Sequence, residues 1–320
     1  MPPGFRAIRG LKIGHAQDEA ALTGATVFLA ERGMVAACDV RGGATGEREL
    51  ETLRAGHIAE KIHAIVLAGG SAFGLDAATG VMRWCEERGI GFDTGVVRVP
   101  IVPAAILFDL GIGDSRRRPD AAMGYAAAEA AAESPVAEGN AGAGTGATVG
   151  KLLGIACAMK SGIGCWSEEI SAENPVHLSA LAAVNAFGDV RDPASGKILA
   201  GVRTKKDSRE FPDTARALRE GKIRTSFAEP NTVLAVVATN AALTRAEAER
   251  VAVMAGAGIA RAVSPAFTGF DGDIVFALSL GNARADVNAL GAAAAEALAR
   301  AIVRGVTESR SAGGLPGLRG

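Results

Sequence analysis

A threonine at the start of an apolar run is the residue of this chain with the most direct route to chemistry. Thr232 opens the run Thr232-Val233-Leu234-Ala235-Val236-Val237, whose β-branched residues predict a buried strand, and Glu229-Pro230 predicts a loop before it. If the peptide bond before Thr232 is cut, this residue carries both a hydroxyl nucleophile and a free α-amine. An α-amine has an ordinary pKa of about 7.7 to 8.0, so it can take the hydroxyl proton near neutral pH. An ordinary strand threonine is the alternative interpretation.

A glycine-rich stretch, residues 139–151, supplies a second candidate. It ends in Gly150-Lys151 but fails the phosphate-loop pattern G-x-x-x-x-G-K-[ST], because Thr145 replaces a glycine and Leu152 replaces a hydroxyl residue. Two interpretations remain open: a tight turn with a solvated lysine, or a turn that directs Lys151 into a site. The segment around Ser71 likewise does not match the G-x-S-x-G nucleophile pattern. Ser71 is therefore predicted to be a turn residue between a strand and a helix.

Three further polar residues lie in or beside apolar runs. Asn185 lies near the end of a predicted strand, where its amide either satisfies a core partner or donates to a developing oxyanion. Asp271 and Asp273 enter the predicted strand 274–278, and residues two apart on a strand face the same way. The alternative for Asp271-Gly272-Asp273 is an ordinary turn.

Bulk composition excludes several classes of function. The chain has 320 residues, 48% of them hydrophobic, which is enough for a substantial core. Its 34 basic and 35 acidic residues give a formal net charge of −1, and only 4% of its residues are aromatic, so no nucleic-acid surface is expected. No signal peptide or membrane span is indicated, which predicts a cytoplasmic protein without a membrane partner. The four cysteines show no C-x-x-C spacing, so reduced thiols are expected and no metal or cofactor is predicted.

Strands and helices alternate along the chain, which predicts an α/β fold. The pattern predicts a hairpin from strands 25–30 and 34–40, a helix over 50–63, and strands over 64–68, 152–159 and 178–189. Further helices are predicted over 75–88, 121–132, 244–262 and 286–303, and 308–320 is predicted to be disordered. Residues 191–227 form the most polar stretch, a connector in which a break in the chain can be tolerated.

Six short blocks follow one another along the chain: Arg41-Gly42-Gly43-Ala44, Leu67-Ala68-Gly69-Gly70-Ser71, Gly142-Ala143-Gly144 up to Lys151, Val184-Asn185-Ala186, Asn231-Thr232 and Asp271-Gly272-Asp273. In this order they resemble the L-aminopeptidase/D-esterase family, which includes β-peptidyl aminopeptidases and nylon-oligomer hydrolases. The resemblance covers residues 11–304. It implies a four-layer αββα sandwich of the N-terminal-nucleophile type and synthesis as an inactive precursor that cleaves itself.

The resemblance also implies a role for each candidate residue. The single domain 1–320 is expected to be cut between Asn231 and Thr232 into a large subunit, 1–231, and a small subunit, 232–320. Thr232 then resembles the family's nucleophile, and its freed amine resembles the base. By the same resemblance, Asp271 and Asp273 would orient that amine and balance its charge. Lys151 would assist electrostatically, and Asn185 would donate a hydrogen bond to the oxyanion.

These features together predict a self-processing amide hydrolase, an aminopeptidase that acts on short or unusual peptides through an acyl-enzyme on Thr232. The family also implies a homo-oligomer, a tetramer. One departure concerns Phe108, because some members carry a tyrosine hydroxyl in this region. Two alternatives are an acyltransferase of the ornithine acetyltransferase type and an uncleaved, non-catalytic scaffold.

Overall fold

Two β-sheet layers lie between two pairs of helices in the computed structural model, which describes residues 4–171, 175–222 and 231–319. The strands are β1 (Lys12–Asp18), β2 (Thr23–Val40), β3 (Glu47–Arg48), β4 (Ile62–Ala68), β5 (Phe92–Asp93), β6 (Arg98–Val99), β7 (Ala104–Ile106), β8 (Thr148–Val149), β9 (Met159–Lys160), β10 (Ile163–Ser171), β11 (Val176–Asn185), β12 (Asp189–Arg191), β13 (Ile198–Ala200), β14 (Thr232–Ala241), β15 (Val263–Ser264) and β16 (Ile274–Ala283). The helices are α1 (Ala77–Glu86), α2 (Ala121–Glu129), α3 (Thr214–Arg219), α4 (Arg245–Ala262) and α5 (Val287–Thr307).

The long strand β2 belongs to both sheet layers. Its first half pairs with β1 and β4, and its second half pairs with β16. The hydrogen-bonded order is β10-β11-β14-β16-β2-β4-β7-β3, with β1 added on β2. Only β14–β16 and β4–β7 are parallel pairs on this path. Because β14 and β16 run parallel, their amino-terminal ends meet at the same edge of the sheet.

Three apolar layers hold the fold together, and strand periodicity assigns residues to them. On β14, Val233, Ala235 and Val237 pack toward α4 and α5. The alternate residues Leu234, Val236 and Ala238 pack between the two sheets, together with residues of β2 and β4. A third layer lies between β2 and β4 and the helix pair α1 and α2. The predicted αββα sandwich is thereby confirmed.

Local signals explain where the two long helices begin. Thr244 and Glu247 form a capping box at the start of α4, as the sequence predicts. Asp286 accepts hydrogen bonds from the backbone N–H groups of Asn288 and Ala289 at the start of α5. Of the helices within the described ranges, none is long and apolar enough to cross a membrane.

Four local predictions are wrong, and backbone geometry explains three of them. The expected hairpin over 25–40 is the single strand β2, because Gly33, at φ +75°, takes part in a register shift rather than a turn. The expected helix over 50–63 is one 3₁₀ turn, Leu50–Leu53, followed by a turn, irregular chain and then β4. Gly154, at φ +83°, interrupts the strand expected over 152–159. Residues 308–319 are ordered instead of disordered.

The ordered tail contacts the body of the protein through backbone hydrogen bonds. Arg319 N–H donates to the carbonyl oxygen of Ser309 at 3.0 Å, which closes the tail into a loop. Lys160 N–H in β9 donates to the carbonyl oxygen of Pro316 at 2.9 Å. The tail is therefore ordered despite its many glycines and arginines, because its backbone N–H and C=O groups form hydrogen bonds.

Candidate active site

Thr232 and Asn185 are neighbours on the face between the two sheets. Thr232 begins β14, Asn185 ends β11, and the two residues are antiparallel partners in register. Alternation along both strands places them on the same side as Leu234 and Ala183, which pack between the sheets. Thr232 is 1% exposed and Asn185 is fully buried. The fold thus brings together the predicted nucleophile and the predicted oxyanion donor.

The Thr232 hydroxyl lies against the peptide bond that precedes it. Its Oγ1 donates to the carbonyl oxygen of Asn231 at 2.5 Å. Asn231 is buried and forms a parallel bridge with Asp271. The hydroxyl therefore lies close to the carbonyl group that a self-cleaving threonine attacks. Glu229 and Pro230, which the sequence places in the preceding loop, lie outside the described residues.

Asp271 is held by hydrogen bonds to both carboxylate oxygens. Its Oδ1 accepts from the backbone N–H of Phe187 at 3.1 Å. Its Oδ2 accepts from Thr268, through the hydroxyl at 2.5 Å and the backbone N–H at 3.2 Å. Burial raises the pKa of Asp271, and these hydrogen bonds and the positive charge of Lys151 oppose the shift.

Asp273 holds the backbone immediately after the predicted nucleophile. Its Oδ1 accepts from Val233 N–H at 2.7 Å, and its Oδ2 accepts from Phe267 N–H at 3.3 Å. Burial, and then the neighbouring charge of Asp271, raises the pKa of Asp273 to about 8. Two buried carboxyl groups therefore flank the amino-terminal end of β14, where a new ammonium group is expected after cleavage.

Lys151 is buried and contacts Asn185 twice. Its Nζ donates to the side-chain oxygen Oδ1 at 2.8 Å and to the backbone oxygen at 3.1 Å. The Asn185 Nδ2 donates to the carbonyl oxygen of Phe108 at 3.0 Å, which leaves a second N–H on the same amide. A cation on Oδ1 polarises the amide and makes its N–H groups stronger donors. This geometry favours the interpretation of residues 139–151 as a turn that directs Lys151 into a site.

A buried lysine, Lys160, lies beneath the glycine-rich turn. Lys160 donates through Nζ to the carbonyl oxygens of Gly144 at 3.2 Å and Ala147 at 3.0 Å, and also to that of Ser161. Burial lowers the pKa of Lys160 to about 7, which the negative charge of Asp109 opposes and Lys151 reinforces. The turn leads to Thr148, whose N–H donates to Asn185 Oδ1 at 3.1 Å. Lys160 therefore helps to position the Asn185 amide.

Sequence reasoning missed the groups that support the predicted site residues. Thr268 lies three residues before Asp271, a spacing typical of a local side-chain turn that could have drawn attention to it. Gly42 entered the sequence analysis only as part of the block Arg41-Gly42-Gly43-Ala44, yet it lies so close to the Asp271 carbonyl oxygen that a Cβ would clash with it. Asp109 and Lys160 carry no local motif, because their proximity depends on the tertiary fold.

A family model places the chain among known proteins. The model described as Peptidase family S58 matches residues 7–319. The chain belongs to this peptidase family. The chain is 39% identical to an uncharacterized aminopeptidase of Mycobacterium bovis, and the match covers 98% of this chain and 96% of the relative. The protein is therefore a peptide or amide hydrolase, and the resemblance identified from the sequence motifs is confirmed.

Solved structures similar to this S58 peptidase support the fold. A Burkholderia sp. beta-aminopeptidase matches with a TM-score of 0.74 and 22% identity, over 99% of this chain and 91% of that chain. An L-aminopeptidase D-Ala-esterase/amidase from Ochrobactrum anthropi, described as a variant of the Ntn hydrolase fold, matches with a TM-score of 0.73 and 18% identity, over 96% and 86%. At these identities the likeness establishes the shared architecture.

Proposed function

We propose that this S58 peptidase cuts itself between Asn231 and Thr232 and then uses Thr232 as its nucleophile toward small peptides or amides. The observation that carries the proposal is the Thr232 hydroxyl, 2.5 Å from the Asn231 carbonyl oxygen at the buried start of β14. The products are a large subunit, 1–231, and a small subunit, 232–320. The freed α-amine serves as the base, as expected for a threonine nucleophile.

The neighbouring side chains support this assignment through charge and geometry. Asp271 and Asp273 orient and charge-balance the new ammonium group, since both carboxyl groups are buried near the start of β14. Opposite charges stabilise an ammonium and raise its pKa, whereas a nearby lysine lowers it. Lys151 acts on the oxyanion through Asn185, whose second amide N–H stabilises the tetrahedral intermediate. Phe108 contributes its carbonyl oxygen as the partner that orients this amide.

Intact mass spectrometry tests the proposal. The purified parent chain is expected to give two masses that correspond to a break between Asn231 and Thr232. A Thr232→Ala chain is expected to give one full-length mass and no hydrolysis of small aminoacyl anilides. The matched control is Thr239→Ala on the same strand, a buried threonine whose Oγ1 donates to the His177 carbonyl oxygen at 2.8 Å.

The Thr239→Ala chain is expected to cut and to hydrolyse like the parent. A single full-length chain in all three samples would contradict self-processing and favour the scaffold alternative. Cleavage in the parent without hydrolysis, but with acyl transfer to an added amino acid, would favour the acyltransferase alternative. The tetrameric state and the cytoplasmic location remain predictions from the sequence, and sedimentation of the cut protein checks the first.

A further inference from the structure

The carbonyl group of Asn231 is clamped by the short segment between the two aspartates. Gly272 N–H donates to the Asn231 carbonyl oxygen at 2.7 Å. Asn231 N–H in turn donates to the carbonyl oxygen of Phe270 at 2.8 Å. Asn231 is therefore fixed by two backbone hydrogen bonds, of which the bond to its carbonyl oxygen is made by the peptide group before Thr232, and the Thr232 hydroxyl approaches the same oxygen. One of these two bonds ends on the oxygen atom that would become negative during cleavage.

We propose that the backbone N–H of Gly272 is the oxyanion donor of the self-cleavage step, a role that rests on the proposed cut at Thr232. In this step Oγ1 of Thr232 forms a bond to the Asn231 carbonyl carbon, and the carbonyl π electrons move to the oxygen. The intermediate collapses with loss of the carbon–nitrogen bond, and the hydroxyl proton passes to the departing nitrogen. The product is an ester of Asn231 on Thr232 with a free α-amine.

Water then completes the reaction. It adds to the ester carbon, and the ester breaks to give the α-carboxylate of Asn231 and the Thr232 hydroxyl; one water proton ends on that hydroxyl and the other on the new α-amine. The same carbonyl oxygen becomes negative in this second step, so the Gly272 N–H stabilises both intermediates. A donor at 2.7 Å in a water-excluded site needs no rearrangement when the charge appears, which is the condition for effective oxyanion stabilisation. Asn185 remains the proposed donor for external substrates.

The packing around Gly272 shows how this donor is fixed. A Cβ at position 272 would lie 2.5 Å from the Ala44 carbonyl oxygen and 2.9 Å from the Thr45 Cα. Ala44 N–H also donates to the Asp271 carbonyl oxygen at 3.0 Å. The loop around Ala44 thus lies directly against the 271–272 backbone, which holds the N–H in place and leaves no room for a side chain. A glycine is required by this close approach.

An amide-to-ester exchange tests the donor without adding atoms. Chains are made with glycolic acid in place of Gly272, which replaces this N–H by an ester oxygen and also weakens the Asp271 carbonyl oxygen as an acceptor for Ala44 N–H, and cutting is followed by intact mass. Self-cleavage is expected to slow by about 100- to 1,000-fold, the effect typical of losing one oxyanion donor. The control carries lactic acid in place of Ala44, which removes the hydrogen bond to the Asp271 carbonyl oxygen at 3.0 Å but keeps the Gly272 N–H, and it is expected to slow cutting far less than glycolic acid at position 272.

Side-chain variants give a second measurement that does not depend on the ester chains. Gly272→Ala must move away from Ala44, which displaces the N–H and is expected to slow cutting by at least about tenfold. Gly269→Ala, whose Cβ would meet nothing within 4 Å, is expected to cut like the parent. Near-parental cutting with glycolic acid at 272, or equal slowing by both ester chains, would overturn the proposal. A parent chain that stays whole would instead reject the proposed function itself.

Discussion

Replacing Lys160 by methionine tests the energetic cost of a cation buried beneath the proposed site. Burial lowers the pKa of Lys160 to about 7, whereas the group has a pKa of 10.5 when exposed in an unfolded chain. Between these two values the unfolded chain binds a proton that the folded chain lacks. The free energy of unfolding therefore rises with pH in this window and is lowest near or below neutral pH.

The expected size of this effect follows from one proton. A difference of one bound proton changes the free energy of unfolding by about 1.4 kcal/mol per pH unit. Between about pH 7.5 and 9.5 the lysine chain should gain about 2 to 3 kcal/mol relative to the Lys160→Met chain. Methionine also leaves the carbonyl oxygens of Gly144 and Ala147 without the Nζ donor of Lys160. That loss costs about 1 to 3 kcal/mol but does not depend on pH.

Urea unfolding at three pH values measures the slope. The experiment uses Thr232→Ala as the background, so that a single chain unfolds, and compares it with the same chain carrying Lys160→Met. The control variant is Lys205→Met, which removes one exposed lysine. We expect the stability difference between the background and the Lys160→Met chain to grow with pH, and the control to follow the background. A constant difference across the range would refute the inference that the buried amine loses its proton.

Two further predictions concern the aspartate pair. Burial and the charge of Asp271 raise the pKa of Asp273 to about 8. Above about pH 4 the folded uncut chain therefore binds a proton that the unfolded chain lacks, and its free energy of unfolding falls by up to about 1.4 kcal/mol per pH unit toward pH 8. Asp273→Asn should flatten this fall in urea titrations. Gly42→Ala places a Cβ 2.1 Å from the Asp271 carbonyl oxygen at φ +87° and should cost at least about 2 kcal/mol, clearly more than Gly56→Ala, which has the same φ and no neighbour within 4 Å. Thermal melting of both glycine variants checks this difference.

Local sequence patterns predicted the parts of the fold that local interactions determine. The capping box at Thr244 and the apolar run after Thr232 each produce the expected element, because a cap and a buried strand are encoded within a few residues. The expected helix over 50–63 failed because apolar spacing alone did not reveal that Glu49 adopts φ 63° and begins only a single turn. The continuous strand β2 was missed for a related reason, since Gly33 can serve a bulge as readily as a turn.

The principal residues of the candidate site could be proposed from the sequence, but their supporting contacts could not. Thr232, Asn185 and Lys151 were identified from spacing and resemblance, and the fold places them around one strand edge. The hydrogen bond from Gly272 N–H to the Asn231 carbonyl oxygen could not be predicted from side-chain types, because both of its groups belong to the backbone. The proximity of Lys160 and Asp109 depends on residues far apart in sequence, so no local pattern could indicate it.

Cleavage at Thr232 would change the electrostatics that the uncut chain has to tolerate. Before the cut, the nitrogen of Thr232 is a neutral amide, and the buried carboxyl groups of Asp271 and Asp273 have raised pKa values. After the cut, that nitrogen becomes an amine that can carry a positive charge beside them. The new charge lowers the pKa of both carboxyl groups, and they in turn raise the pKa of the amine. The proposed self-cleavage therefore creates the counter-ion for the carboxylates and, in the same step, the base that activates the nucleophile.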